Sequence, residues 1–78
     1  MIPSFVKIEG WEPRINNLET GRNARRFREA CGVSGRKVAK HMGYVNSMIS
    51  ELENGTRGWS VEKANAYVQA IYELTNHE

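Results

Sequence analysis

Cysteine is almost missing from this chain. Its 78 residues include one, Cys31, so no internal disulfide can form and no four-cysteine or cysteine–histidine metal set exists. The two histidines, His41 and His77, lie far apart in sequence. No spaced pair of carboxylates and no nucleophile with a base beside it is visible, which argues against an enzyme. Long apolar runs are missing too, since none approaches the roughly 18 residues of a membrane span. The first ten residues, MIPSFVKIEG, lack the apolar region and cleavage pattern of a secretory signal. Together these absences lead to the expectation of a reduced, cytoplasmic protein with no metal, no cofactor, no small-molecule ligand and no membrane partner.

Size sets the next limit. A chain this short holds one domain and buries only about 60–65% of the surface that its unfolded form exposes. A deep enzyme pocket does not fit such a thin core, whereas a binding surface does. Hydrophobic residues make up 40% and charged residues 26%, too apolar for a disordered segment.

The net charge of +2 conceals an uneven distribution. From Met1 to Gly21, two basic and three acidic residues give −1; from Arg22 to His41, seven basic residues against Glu29 give +6; from Met42 to Glu78, two basic and five acidic residues give −3. A basic block of that density is either a solvated helix face or the footprint of a polyanion partner.

Residues 1–17 hold both prolines, Pro3 and Pro13, and read as an N-terminal arm in which Phe5-Val6-Lys7-Ile8-Glu9 forms a short strand or extended segment. Residues 18–78 read as the main domain. Asn17 or Thr20 caps a first helix ending near Cys31, with Gly32 as its stop and Leu18, Ala24, Phe27 and Cys31 on its apolar face. Ser34 caps a second helix from Gly35 to Met42, ended by Gly43. Asn46 to Glu53 forms a third, ended by Asn54-Gly55. Ser60 caps the last, Val61 to Thr75, where Val61, Ala64, Val68 and Ile71 recur at helical spacing and Tyr67 and Leu74 widen the stripe. The fold class is therefore all-α, a bundle of four or five short helices with a short N-terminal arm.

The informative stretch is VSGRKVAKHMGYVNSMISELENG, residues 33–55. Two helices of about eight residues meet at a turn built on Gly43, with Val38, Met42, Tyr44, Ile49 and Leu52 apolar and Ala39 small where the helices cross. This is the helix-turn-helix plan, about 34–54, whose second helix enters the DNA major groove. The pieces FREACGVS, KVAKHMG and ISELENG resemble the lambda-repressor/Cro-like (XRE) helix-turn-helix family over roughly residues 22–71. The last piece is similar to the family's I-S-x-x-E-N-G run and is the most specific.

The resemblance implies roles for individual residues. Asn46, Ser47, Ser50 and Glu51 match the base-reading positions of the recognition helix; asparagine pairs with adenine, and glutamate accepts from cytosine N4. Ser34 and Gly35 match the phosphate-binding start of the second helix, with Gly35 where the family typically has glutamine. Asn54, Thr56 and Arg57 match backbone contacts after the recognition helix. Arg28 and Glu53 match a structural salt bridge between the first and third helices. With the helix-turn-helix placed this way, Arg36, Lys37 and Lys40 are implied as further phosphate contacts. Val45 stands where the family usually has serine or threonine, and Asn46 is placed to take over as cap.

Elsewhere the bland roles prevail. Cys31 is expected to be a small core residue, His41 a surface residue, Trp59 a staple under the last helix, and Trp11 an anchor for the arm. The function expected is a sequence-specific DNA-binding transcriptional regulator, a small phage- or prophage-type repressor that binds a pseudo-palindromic operator in double-stranded DNA as a homodimer. Its candidate dimer surfaces are residues 1–12, with Phe5, Val6 and Ile8, or the Tyr67/Tyr72/Leu74 side of the last helix. The alternative is a protein-interaction module on the same fold, an antitoxin or anti-repressor.

Overall fold

Side-chain caps punctuate the chain. In the computed structural model, which describes residues 2–10 and 14–76, α1 spans Asn17–Ala30, α2 Gly35–Met42, α3 Asn46–Asn54 and α4 Val61–Thr75. Asn16, Ser34 and Ser60 each accept a hydrogen bond from the backbone N–H three residues on, at 2.9, 3.2 and 3.0 Å, satisfying one otherwise orphaned donor per helix. The first cap is one residue earlier than expected. Asn17 lies inside the helix and accepts the Trp59 N–H at 2.8 Å. Thr20 is fully buried and accepts the Lys7 N–H at 3.0 Å. α2 and α3 end on Gly43 and Gly55, at φ 77° and 80°. That left-handed conformation is costly for any residue with a Cβ.

The arm is tied to the helices. Ile8–Glu9 (β1) and Arg14–Ile15 (β2) pair antiparallel, Ile8 opposite Ile15 and Glu9 opposite Arg14. Ahead of them Phe5 enters the core, with its ring centroid 6.0 Å from Phe27, 5.7 Å from Trp59 and 5.7 Å from Tyr67. The first pair is stacked and the other two are edge-to-face, and aromatic pairs of either kind add about 0.5–1.5 kcal/mol each beyond their buried area. Trp11, expected to anchor the arm, lies outside the described residues. Val38, Ile49, Leu52, Tyr67 and Ile71 complete the centre, each essentially inaccessible. Full burial of such a side chain stabilises by about 1.5–3 kcal/mol.

Four expectations about burial need correction. Cys31 is exposed. It is the C-cap of α1, and Gly32 turns the chain at φ 71°, so Val33, two residues on, takes the inward position. Leu18 is 55% exposed because it lies in the first turn of α1, where its backbone abuts Gly55. Val61, at the open start of α4, is 36% exposed. Tyr67 is fully buried and Phe5 nearly so, which removes both from any outer surface.

Gly21 has a steric role that its position inside a helix hides. A Cβ there would lie 2.3 Å from the Leu52 carbonyl oxygen and 2.7 Å from that of Glu53, so α1 meets the end of α3 backbone to backbone. Gly21→Ala is expected to cost about 3 kcal/mol through forced separation of the two helices. Gly35→Ala, whose Cβ meets Arg28 and Ile49 at an ordinary 3.6 Å, is expected to be neutral or stabilising by up to about 1 kcal/mol. Urea denaturation of the two variants checks this contrast.

Candidate nucleic-acid interface

A recognition helix has to be held at a fixed angle, and here a buried polar cluster holds it. Arg28 on α1 donates through Nε to Glu53 Oε2 at 2.7 Å and through Nη2 to Oε1 at 2.9 Å. This two-bond geometry is the strongest form of arginine–carboxylate contact. The third arm of the guanidinium, Nη1, donates to the Val33 carbonyl at 2.9 Å, steadying the turn that leads into α2. From α4 the Tyr67 hydroxyl donates to Glu53 Oε2 at 2.6 Å, with the Ala24 carbonyl at 3.1 Å. The side chains of Arg28 and Glu53 are 12% and 6% exposed. One cluster thus joins α1, the α2 entry, α3 and α4. Among the described residues, no buried side-chain nitrogen or oxygen lacks a partner.

The cluster shifts its members' proton affinities. The hydrogen bonds to Glu53 hold the Arg28 guanidinium above its ordinary value. Burial, followed by the bond to Glu53, pushes the Tyr67 hydroxyl well above its own. At the outer end of α2, His41 Nε2 lies 2.5 Å from Glu73 Oε1 on α4. Hydrogen bonds from Gln69 and then His41 hold Glu73, an exposed side chain, below the ordinary carboxylate value.

The candidate DNA-facing residues fall on α2, α3 and the turn after α3. Asn46, Ser47 and Ser50 are exposed on α3, separated by the steps of three and four residues that put side chains on one helix face. Glu51 is half-covered and bonded to Arg57, Oε1 to Nε at 2.9 Å and to Nη2 at 2.8 Å. Its backbone carbonyl accepts the Thr56 and Arg57 N–H groups at 3.0 and 3.3 Å. An expected base reader and an expected phosphate contact are therefore bonded to each other. Arg36, Lys37 and Lys40 are exposed on α2, Asn54 is exposed as the last residue of α3 and Thr56 in the turn after it, while Gly35 is partly covered at the start of α2. Ser34 spends its hydroxyl on the Lys37 N–H. Of the α1 arginines, Arg25 pairs with Glu29 at 3.1 Å, and Arg22 and Arg26 are exposed.

At the head of α3 the cap is Val45, with no side-chain hydrogen bond, and Asn46 is the first helical residue. The expected transfer of the cap to Asn46 is thereby corrected. Extended backbone at Val45, φ −79° and ψ 153°, already supplies the cap conformation, so Asn46 keeps an exposed side chain outside that role.

A family model described as a helix-turn-helix domain matches residues 19–78. The chain belongs to this helix-turn-helix family, which is of the XRE/Cro type. The match covers α2, α3 and α4 and all but the first two residues of α1. Nothing matches among curated proteins or among solved structures. A domain of this family points to a DNA-binding regulator and is typically not an enzyme. No helix among the described residues is long and apolar enough to cross a membrane.

Two structural contributions are not apparent from the sequence. Tyr67 belongs by spacing to an apolar stripe, and nothing in that spacing marks it as a partner of Glu53. Gly21 carries a usable signal, a glycine inside a helical run, which often has a packing reason.

The raised Tyr67 affinity makes a signed prediction. The folded chain keeps the Tyr67 proton above pH 10.0, where an ordinary tyrosine loses it. The native state then binds more protons than the unfolded state, so stability is intact below that pH and falls as pH rises beyond it. Tyr67→Phe is expected to begin about 1–3 kcal/mol less stable, having lost a bond to a charged group, and to decline less steeply above pH 10.0. Denaturation midpoints across that range measure both effects.

Proposed function

We propose that this helix-turn-helix domain is a sequence-specific transcriptional regulator, a small repressor of phage or prophage type that acts in the cytoplasm by occupying an operator. The observation that carries the reading is the exposed polar face of α3 beside the exposed α2 cations Arg36, Lys37 and Lys40, on helices locked together by Arg28 and Glu53. The cations supply affinity through phosphates, and Asn46, Ser47 and Ser50 supply selectivity at base edges. Ser34 and Gly35 add the N-terminus of α2 as a phosphate contact, and Asn54 and Thr56 extend the backbone contacts at the end of α3 and in the turn after it. Glu51 holds Arg57 through Oε1 and aims it along the edge of the interface, while Oε2 is the oxygen offered to a cytosine.

One such domain covers about half an operator, so a homodimer on a pseudo-palindrome with half-sites roughly 34 Å apart is the arrangement proposed. With Phe5 and Tyr67 buried, the exposed apolar groups left for self-association among the described residues of the two surfaces are Ile2, Ile8 and Tyr72.

Fluorescence anisotropy against random and selected duplexes tests the proposal. Three phosphate contacts, from Arg36, Lys37 and Lys40, give an expected log–log salt slope of about −2.7 per half-site, and Arg57 adds little to it while paired with Glu51. Lys40→Ala should weaken binding to all sequences alike and reduce the slope by about 1. Absence of salt-dependent binding to any duplex overturns the reading. In that event, capture of a stable protein partner would support the interaction-module alternative.

A further inference from the structure

We propose that Val45 determines specificity by packing against the C5-methyl group of a thymine at one position of each half-site; this rests on the DNA-binding reading above. Three of the four helices are capped by a side chain, Asn16, Ser34 and Ser60. The exception is α3, the helix proposed to read bases, and its cap residue is a valine. Valine is among the poorest N-cap residues because it offers no acceptor to the first turn. It is also 68% exposed, the most exposed large hydrophobic residue among those described. The neighbouring apolar groups Tyr44 and Met48 are partly covered by the core, whereas Val45 is turned away from it. The side chain thus serves neither the helix start nor the core.

Its position supplies the missing use. Residues at the start of a recognition helix are the ones that approach base edges in the major groove, and Val45 directly precedes the exposed Asn46 and Ser47. The major groove presents one apolar group, the thymine methyl, and an aliphatic side chain is its natural contact. A branched, rotationally stiff valine loses little freedom in making that contact. The polar reading of Asn46 and the apolar reading of Val45 would then address adjacent base steps.

The test pairs binding-site selection with removal of the methyl group. Wild type and Val45→Ser are each selected against a random duplex pool. Anisotropy titrations then compare the wild-type site with copies in which each thymine is replaced in turn by uracil. Wild type is expected to select a thymine and to lose about fourfold in affinity when that one methyl is removed, the scale for burying one such group. Val45→Ser should lose the thymine preference and bind the two duplexes equally, while Val45→Thr, which keeps one methyl, should retain part of the discrimination. Unfolding is not the expected failure of the serine variant. A serine cap should raise Tm by roughly 4–8 °C, and circular dichroism reads this directly.

Persistence of the same thymine preference in Val45→Ser, or equal wild-type binding to every uracil-substituted site, overturns the assignment while leaving DNA binding intact. Loss of self-association in Val45→Ser with base preference unchanged also overturns it, placing Val45 at a contact between copies. Failure of wild type to enrich any sequence overturns the DNA-binding reading and this inference with it.

Discussion

The buried contact between Arg28 and Glu53 is the constraint on which the rest of the domain depends. Its two parallel hydrogen bonds fix α1 against α3 in both distance and rotation, as a single bond cannot. Burying both charges is expensive, and the arrangement is tolerable because every strong site nearby is used. The Val33 carbonyl takes the remaining arm of the guanidinium, and Tyr67 takes the free side of the carboxylate. In such clusters, losing one partner leaves the other charge buried and uncompensated, a penalty of about 3–5 kcal/mol. For a domain whose whole stability is about 5–15 kcal/mol, the cluster specifies the arrangement as much as it stabilises it.

That cluster also explains why other residues have little freedom. Drawing α1 onto the end of α3 leaves no room for a Cβ at position 21. The Leu52 carbonyl at the same junction accepts the Trp59 indole N–H at 2.8 Å, which brings Trp59 beneath the start of α4. There Trp59 meets Tyr67 at 5.4 Å and Phe5 at 5.7 Å. Phe5 is thus a core component supplied by the arm. The polar and aromatic clusters share Tyr67, so the hydroxyl and ring of one residue couple the ion pair to the apolar centre.

The outer surface follows a different logic. Arg36, Lys37 and Lys40 are exposed on α2 and uncharged polar groups on α3, so in the proposed interface attraction and discrimination fall to different helices. Glu51, the outward acid of α3, is neutralised by Arg57 within the same protein. On the DNA-binding proposal, this eases the conflict between an acidic reading helix and a phosphate-lined groove. The pairing occupies a cation that would otherwise face phosphate, which leaves Arg36, Lys37 and Lys40 as the exposed charge next to α3.

The helices were legible in the sequence because their signals are local. Ser34 and Ser60 as caps, Gly43 and Gly55 as left-handed stops, and the three- and four-residue spacing of Val38, Ile49, Leu52, Ala64 and Ile71 depend on neighbours within a turn or two. The helix-turn-helix plan follows from those signals together, and the basic block from counting. What only the tertiary structure decided depends on which surfaces meet. Hydropathy cannot distinguish Cys31, which faces outward at a cap, from Val33, which turns in, because the chain reverses between them. Phe5 needed a core to enter, and Tyr67 needed Glu53 from another helix. Glu51 and Arg57 cancel each other only because the turn after α3 folds back onto it. Periodicity and capping act over a few residues and can be read in one dimension; the direction of a side chain at a helix end, and the partner of a charge, are set by packing between segments distant in sequence.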